Sequence, residues 1–188
     1  MVRLSSIAFL LVMGAASADG AEQDRLAPCL ACHGATGQSQ AAAVPSLGGQ
    51  PAKYSLIQLF MFREGLRLGA PMNDLTKQFS DDDLTAISDA LAKLPAPQPS
   101  TETTDPQRVA RGKALTEQYH CNVCHRDDFS GQENVPRLAG QREDYLLKAL
   151  TEYKTGARHG YDATMAEALQ PVDKNELGTL AYFLARVR

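Results

Sequence analysis

Cys29-Leu30-Ala31-Cys32-His33 and Cys121-Asn122-Val123-Cys124-His125 are the two stretches on which the reading turns. Each is C-x-x-C-H, the attachment signature for c-type haem. On a helical turn, positions i and i+3 lie on one face, so two thiols can bond the two vinyl-derived carbons along one haem edge. The next residue then swings its imidazole over the ring plane, where it can ligate iron. The spacing therefore marks Cys29, Cys32, Cys121 and Cys124 as covalent anchors of two haem c groups, with His33 and His125 as iron ligands. Other readings of paired cysteines compete. A single C-x-x-C is shared with thioredoxin-like sites. Zinc sites usually set two such pairs about 15–20 residues apart, whereas these lie roughly a domain apart. Two complete copies, each with its histidine, favour covalent haem.

Outward from the first motif, the N-terminus reads as an export signal. Arg3 gives a short positive start, Ile7 to Met13 is an apolar run, and Ala16-Ser17-Ala18 is an A-x-A site. The run is too short to span a bilayer; a core helix is the competing reading. Cleavage near Ala18 delivers the chain to the periplasm, an oxidising compartment where paired cysteines would ordinarily form disulfides. The C-x-x-C-H arrangement argues otherwise.

Outward from both motifs, the sequence repeats. Val44-Pro45-Ser46-Leu47-Gly48-Gly49-Gln50 is answered by Val135-Pro136-Arg137-Leu138-Ala139-Gly140-Gln141. In the same register Tyr54 matches Tyr145, Phe62 matches Tyr153, Gly65 matches Gly156 and Arg67 matches Arg158. Helix patterning alone does not make Gln, Tyr, Gly and Arg recur together, so the chain is a duplicated domain. The expected boundaries are a signal over 1–18, domains over 19–94 and 106–188, and a proline-rich extended linker over 95–105. Domains this small usually need a staple or a metal. A haem plate at each centre fits a chain of 188 residues that contains no Trp and only 6% aromatics.

The secondary structure reads as all-α. Asp105 caps a helix with Pro106 at its first position. Pro51 opens a helix that Gly65 stops, and its repeat is stopped at Gly156. Ser80 with Asp83 forms a capping-box pattern before Leu84, Ile87, Leu91 and Leu94, and Asp173 with Glu176 precedes Leu177, Leu180 and Leu184. No convincing alternating strand appears. With 19 Lys+Arg against 22 Asp+Glu and no basic stripe, nucleic acid is not an expected partner.

Iron needs a sixth ligand or an open position, and that choice separates electron transfer from ligand chemistry. Met72 lies 39 residues after His33 and Met165 lies 40 after His125, both read as loop residues before the last helix of their domain. Matching spacing makes them the expected axial ligands, against ordinary surface or gap-filling methionines. Met61, with Glu152 as its counterpart, reads as packing. His159 competes with Met165 for the second iron, but its counterpart in the first copy is Leu68.

Motif, proline and loop methionine together resemble class I c-type cytochromes. The tandem arrangement, with Pro-x-Leu-x-Gly-Gln and then Tyr in both halves, resembles the dihaem cytochrome c4 family over essentially the whole mature chain. The resemblance implies two class I cytochrome c domains, each wrapped around one covalent haem and related by a pseudo-twofold. It implies that the carbonyls of Pro45 and Pro136 orient the two histidines, and that haem propionates lie near the shared interface. Arg67 and Arg158 are candidates to pair with those propionates, with a solvated arginine the competing reading for each. Tyr54 and Tyr145 either donate to the same groups or pack.

The implied role is periplasmic electron transfer rather than enzymatic catalysis. The expected partners are redox proteins such as a quinol-oxidising complex and a terminal oxidase; peripheral membrane association is left open. The alternative is an electron-accepting subunit of a periplasmic dehydrogenase. Residues 19–95 carry 6 basic and 9 acidic side chains and residues 106–188 carry 12 and 11, so the two ends are expected to meet different partners unless the charges are merely solvated.

Overall fold

The structure is a computed structural model that describes residues 18–159, 161 and 163–187. The expected export signal lies outside the described residues except for Ala18. Nine α-helices and one 3-10 turn follow along the described chain, and no strand is present among those residues beyond one isolated bridge, Gln132 to Val135. The first domain contains α1 (Ala18–His33), α2 (Ala52–Arg63), α3 (Met72–Thr76) and α4 (Asp81–Lys93). The second contains α5 (Pro106–Gln118), α6 (Cys121–His125), α7 (Glu143–Thr155), α8 (Thr164–Leu169), the 3-10 turn Lys174–Glu176 and α9 (Leu177–Leu184).

The local signals act where they stand. Ser80 accepts from the Asp83 N–H while the Asp83 carboxylate accepts from the Ser80 N–H, closing a capping box at the start of α4. Asp105 accepts from the N–H groups of Gln107 and Arg108, with Pro106 at the first position of α5. Gly65 and Gly156 follow α2 and α7 at φ +69° and +75°, a conformation that costs other residues roughly 1–2 kcal/mol. Asp173 caps the 3-10 turn, so the last α-helix begins only at Leu177.

Each domain has its own core. In the first, Leu26, Leu59, Leu84, Ile87, Ala90 and Leu91 pack together where α4 meets α1 and α2. In the second, Leu115, Leu146, Leu150, Leu177, Leu180 and Leu184 bind α5, α7 and α9. Gly112 lets α5 approach α9 closely: a Cβ there would lie 2.4 Å from the Phe183 Cβ and 2.9 Å from the Thr179 carbonyl oxygen.

The segment between α4 and α5 is extended and docked on both domains. The Gln98 N–H donates to Gln38 Oε1 at 3.3 Å, and the Ser100 N–H donates to the Ala185 carbonyl at 2.9 Å. Its Pro95 carbonyl lies against Gly48 and its Pro97 carbonyl against Gly140, where a Cβ would come within 2.2 and 2.4 Å respectively. Arg186 holds Glu102 at 3.2 Å and Glu143 at 2.7 Å.

Candidate functional site

The two C-x-x-C-H motifs are helical in both domains but are carried differently. The first ends the long helix α1; the second forms the short helix α6, set off from α5 by His120 at φ +53°. Cys29 and Cys121 are half-buried against their domain cores, while Cys32 and Cys124 are exposed, and none of the four is in a disulfide. Burial pushes the thiols of Cys29 and Cys121 up, the opposite of a reactive dithiol, whose thiolate is stabilised. No group of three or more His, Cys, Asp or Glu gathers to hold a metal among the described residues, so a zinc site built from protein ligands alone has no candidate there.

Both histidines are buried, and each ring is fixed by a proline. His33 Nδ1 lies 2.8 Å from the Pro45 carbonyl oxygen, and His125 Nδ1 lies 2.9 Å from that of Pro136. A carbonyl only accepts, so Nδ1 carries the proton and Nε2 keeps its lone pair, the tautomer a metal-binding imidazole needs. Burial holds both side chains below the ordinary histidine pKa, partly offset by these carbonyl bonds, which also favours the neutral ring.

Met72 and Met165 differ from expectation in their local setting. Each lies in a short helix, α3 or α8, rather than in irregular loop. In the first, Asn73 accepts from the Gly69 N–H and donates to the carbonyls of Phe62 and Arg67, which folds the segment into a turn tight enough to continue as helix. Each methionine packs on the same apolar cluster as the first cysteine of its motif: Met72 with Cys29, and Met165 with Cys121. Met61 is buried at 3% exposure. His159 is exposed; its neighbours Gly160 and Asp162 fall outside the described residues.

Tyr54, Tyr145, Arg67 and Arg158 come together between the domains. Arg67 donates to the Tyr145 hydroxyl at 3.3 Å and to Gln58 Oε1 at 2.6 Å. Arg158 donates to Tyr145 and Tyr54, each at 3.3 Å, and to Gln58 at 3.2 Å. The repeat also sets each guanidinium over the equivalent ring, Arg67 over Phe62 at 4.4 Å and Arg158 over Tyr153 at 4.8 Å. The solvated reading fails for Arg158, which is only 6% exposed, and Arg67 is half-buried.

No carboxylate partners either guanidinium in these contacts, and the buried Nε of Arg158 has no acceptor. Burial pushes the Tyr145 hydroxyl up, but Arg158 and Arg67 outweigh it and bring it down to about 8. Among the described residues, one buried and one half-buried cation drawing on a phenol make a site that suits an anion. The carboxylate-bearing edge of a haem fits that need.

Gln50 and Gln141 recur in the repeat with no task legible from sequence. Both are buried, and each reaches into the other domain. Gln141 Nε2 donates to the Ser46 carbonyl at 2.8 Å while its Oε1 accepts from the Ser46 N–H at 2.8 Å. Gln50 does the same to Arg137, both bonds at 3.0 Å. Asp144 and Arg142 add bonds to the backbone of Ala43 and Ser39.

Two helical lobes, each presenting a C-x-x-C-H helix, a proline-fixed histidine and a methionine on one apolar cluster, define a tandem class I c-type cytochrome. The cytochrome c family profile matches the chain twice, at residues 17–95 and 109–187. Cytochrome c4 of Azotobacter vinelandii is 33% identical over 81% of this chain and 82% of its own. The thiosulfate dehydrogenase electron acceptor of Thiomonas intermedia is 34% identical over 85% of this chain and 79% of its own. The solved structure of reduced cytochrome c4 from Pseudomonas stutzeri matches with a TM-score of 0.78 at 26% identity, covering 90% of this chain and 98% of that one. The chain belongs to the cytochrome c4 family. It is a dihaem electron-transfer protein whose two cysteine pairs bind covalent haem c, and it works with redox partners.

Proposed function

We propose that the chain is a periplasmic electron shuttle in which His33 and Met72 hold the first haem iron and His125 and Met165 the second. One observation carries this reading: in each domain the methionine packs on the same cluster as the first motif cysteine, while the histidine keeps Nε2 free by donating Nδ1–H to a proline. Bound haem supplies a one-electron iron couple. Pro45 and Pro136 keep the imidazoles in register, and the apolar clusters exclude water around them. A methionine sulfur as the second ligand beside histidine would favour the reduced state. Arg67 and Arg158 would supply the positive charge that haem carboxylates need. The signal-like N-terminus supports the periplasmic assignment.

The axial assignment is tested in the second domain, where His159 competes. Met165→Ala is expected to remove one of the two methionine-to-iron near-infrared bands and to open one haem to carbon monoxide, while His159→Ala changes neither. The reverse pattern overturns the assignment.

The Thiomonas intermedia relative supports a second reading beside the shuttle between a quinol-oxidising complex and a terminal oxidase, that of a dehydrogenase electron-accepting subunit. Isolation from native membrane and soluble fractions separates them. Stable co-purification with a dehydrogenase chain supports the subunit, and recovery as a free protein supports the shuttle.

A further inference from the structure

The glutamine crossings end on a particular peptide group. The Ser46 N–H that Gln141 Oε1 accepts and the Pro45 carbonyl that His33 Nδ1 addresses belong to one planar amide, the bond joining residues 45 and 46. The same holds in the second domain, where the Arg137 N–H accepted by Gln50 and the Pro136 carbonyl held by His125 are two ends of one amide. A continuous chain of bonds therefore runs from a side chain of one domain to the histidine ring of the other. Its links are 2.8 and 2.8 Å in one direction and 3.0 and 2.9 Å in the other. Gln50 is 4% exposed and Gln141 3%, so water competes little for these links.

Peptide resonance couples the two ends. When the N–H donates, more negative charge moves onto the carbonyl oxygen, and successive hydrogen bonds strengthen one another. A more negative carbonyl pulls harder on Nδ1–H and makes the imidazole a stronger donor at Nε2. A stronger donor favours the oxidised metal and lowers the reduction potential.

We infer that Gln141 and Gln50 are positioning residues that act across the domain interface. Gln141 of the second domain tunes the haem of the first, and Gln50 of the first domain tunes the haem of the second. The inference rests on the proposed axial set of each haem, His33 with Met72 and His125 with Met165. A failure of that assignment would appear in the near-infrared and carbon monoxide experiment, whereas a failure here leaves those spectra intact.

The test measures both haem potentials in the holoprotein by spectroelectrochemistry, with haem-methyl NMR resonances assigning each potential to its domain. Gln141→Met removes the acceptor without changing charge. It is expected to raise the first haem's potential by a two- to tenfold change in its one-electron equilibrium, roughly 20–60 mV at about 59 mV per decade, and to move the second haem less. Gln50→Met is expected to do the mirror image. Gln141→Glu keeps an acceptor for the Ser46 N–H whether or not the carboxyl is protonated, so the first haem should stay at or below its wild-type potential. The inference is overturned if each Met variant shifts mainly its own domain's haem, shifts both equally or shifts neither. It is equally overturned if Gln141→Glu raises the first haem's potential.

Discussion

Gly37 in the first domain and Phe129 in the second stand at the same turn, at φ +75° and +54°, and each carbonyl accepts two backbone N–H groups from the loop after the motif. Just before them, Gly34 at φ +87° is answered by Arg126 at +68°. The first domain meets the left-handed backbone with glycine; the second accepts the strain. At residue 129 the return is visible. The Phe129 ring enters the core at 5% exposure and meets Phe183 edge to face, with centroids 5.9 Å apart. In the first domain that space is closed, because a Cβ on Gly37 would lie 2.9 Å from Leu94 Cδ1. Nothing in the structure explains Arg126 in the same way. One scaffold thus tolerates two solutions when a buried side chain offsets a strained backbone.

The largest effect on this comparison should come from dividing the haems. Replacing Cys121 and Cys124 with Ala should leave the first domain's haem covalently bound and remove the second, read as one haem fewer by intact mass. Loss of both haems would show that the halves cannot mature independently. Next, Phe129→Ala should destabilise the second domain by about 3–5 kcal/mol through the cavity it leaves, with the first domain's transition little changed in a chemical denaturation monitored by haem absorbance. A much smaller loss would mean that neighbouring side chains close over the cavity, since alanine keeps the Cβ and with it the strain at φ +54°. Arg126→Gly should stabilise the second domain by about 1 kcal/mol by removing the left-handed penalty, measured in the same way. No gain there would point to a contact of the Arg126 side chain that offsets its backbone.

The smallest expected difference is a matter of pH. The Ser80 hydroxyl and N–H hold the Asp83 carboxyl below its ordinary range. A depressed folded pKa adds stability that is present above the unfolded value of about 3.9 and lost as pH falls through the lower folded value. Ser80→Ala should therefore flatten the acid limb of the first domain's stability below about pH 5 and leave the second domain's unchanged, measured by domain-resolved thermal melts.

What the sequence disclosed was local. The motifs, the capping pair Ser80–Asp83, Pro106 and the stop glycines act within a turn or two, so their chemistry reads directly from neighbouring letters. The recurrence of Gln50 and Gln141 was equally legible, but not its meaning, because their partners lie 87 and 95 residues away and are backbone atoms that carry no side-chain signature. The burial of Arg158 was hidden for a similar reason. Its tyrosine and glutamine partners include two from the other domain, and composition cannot announce which arginine the fold will enclose. The break at His120 was hidden too, since a single histidine is only a weak signal for a left-handed turn.

The docked linker has a consequence for how the two halves associate. The strap between α4 and α5 makes the meeting of the domains an intramolecular event, for which short tethers give effective concentrations on the order of millimolar. The glutamine and arginine contacts need only a modest intrinsic affinity to keep the halves engaged. Sequence change at the interface is buffered accordingly, until the strap is cut. Proteolysis between α4 and α5 would then turn a fixed pair into a bimolecular equilibrium, governed by the intrinsic affinity of those contacts and the protein concentration.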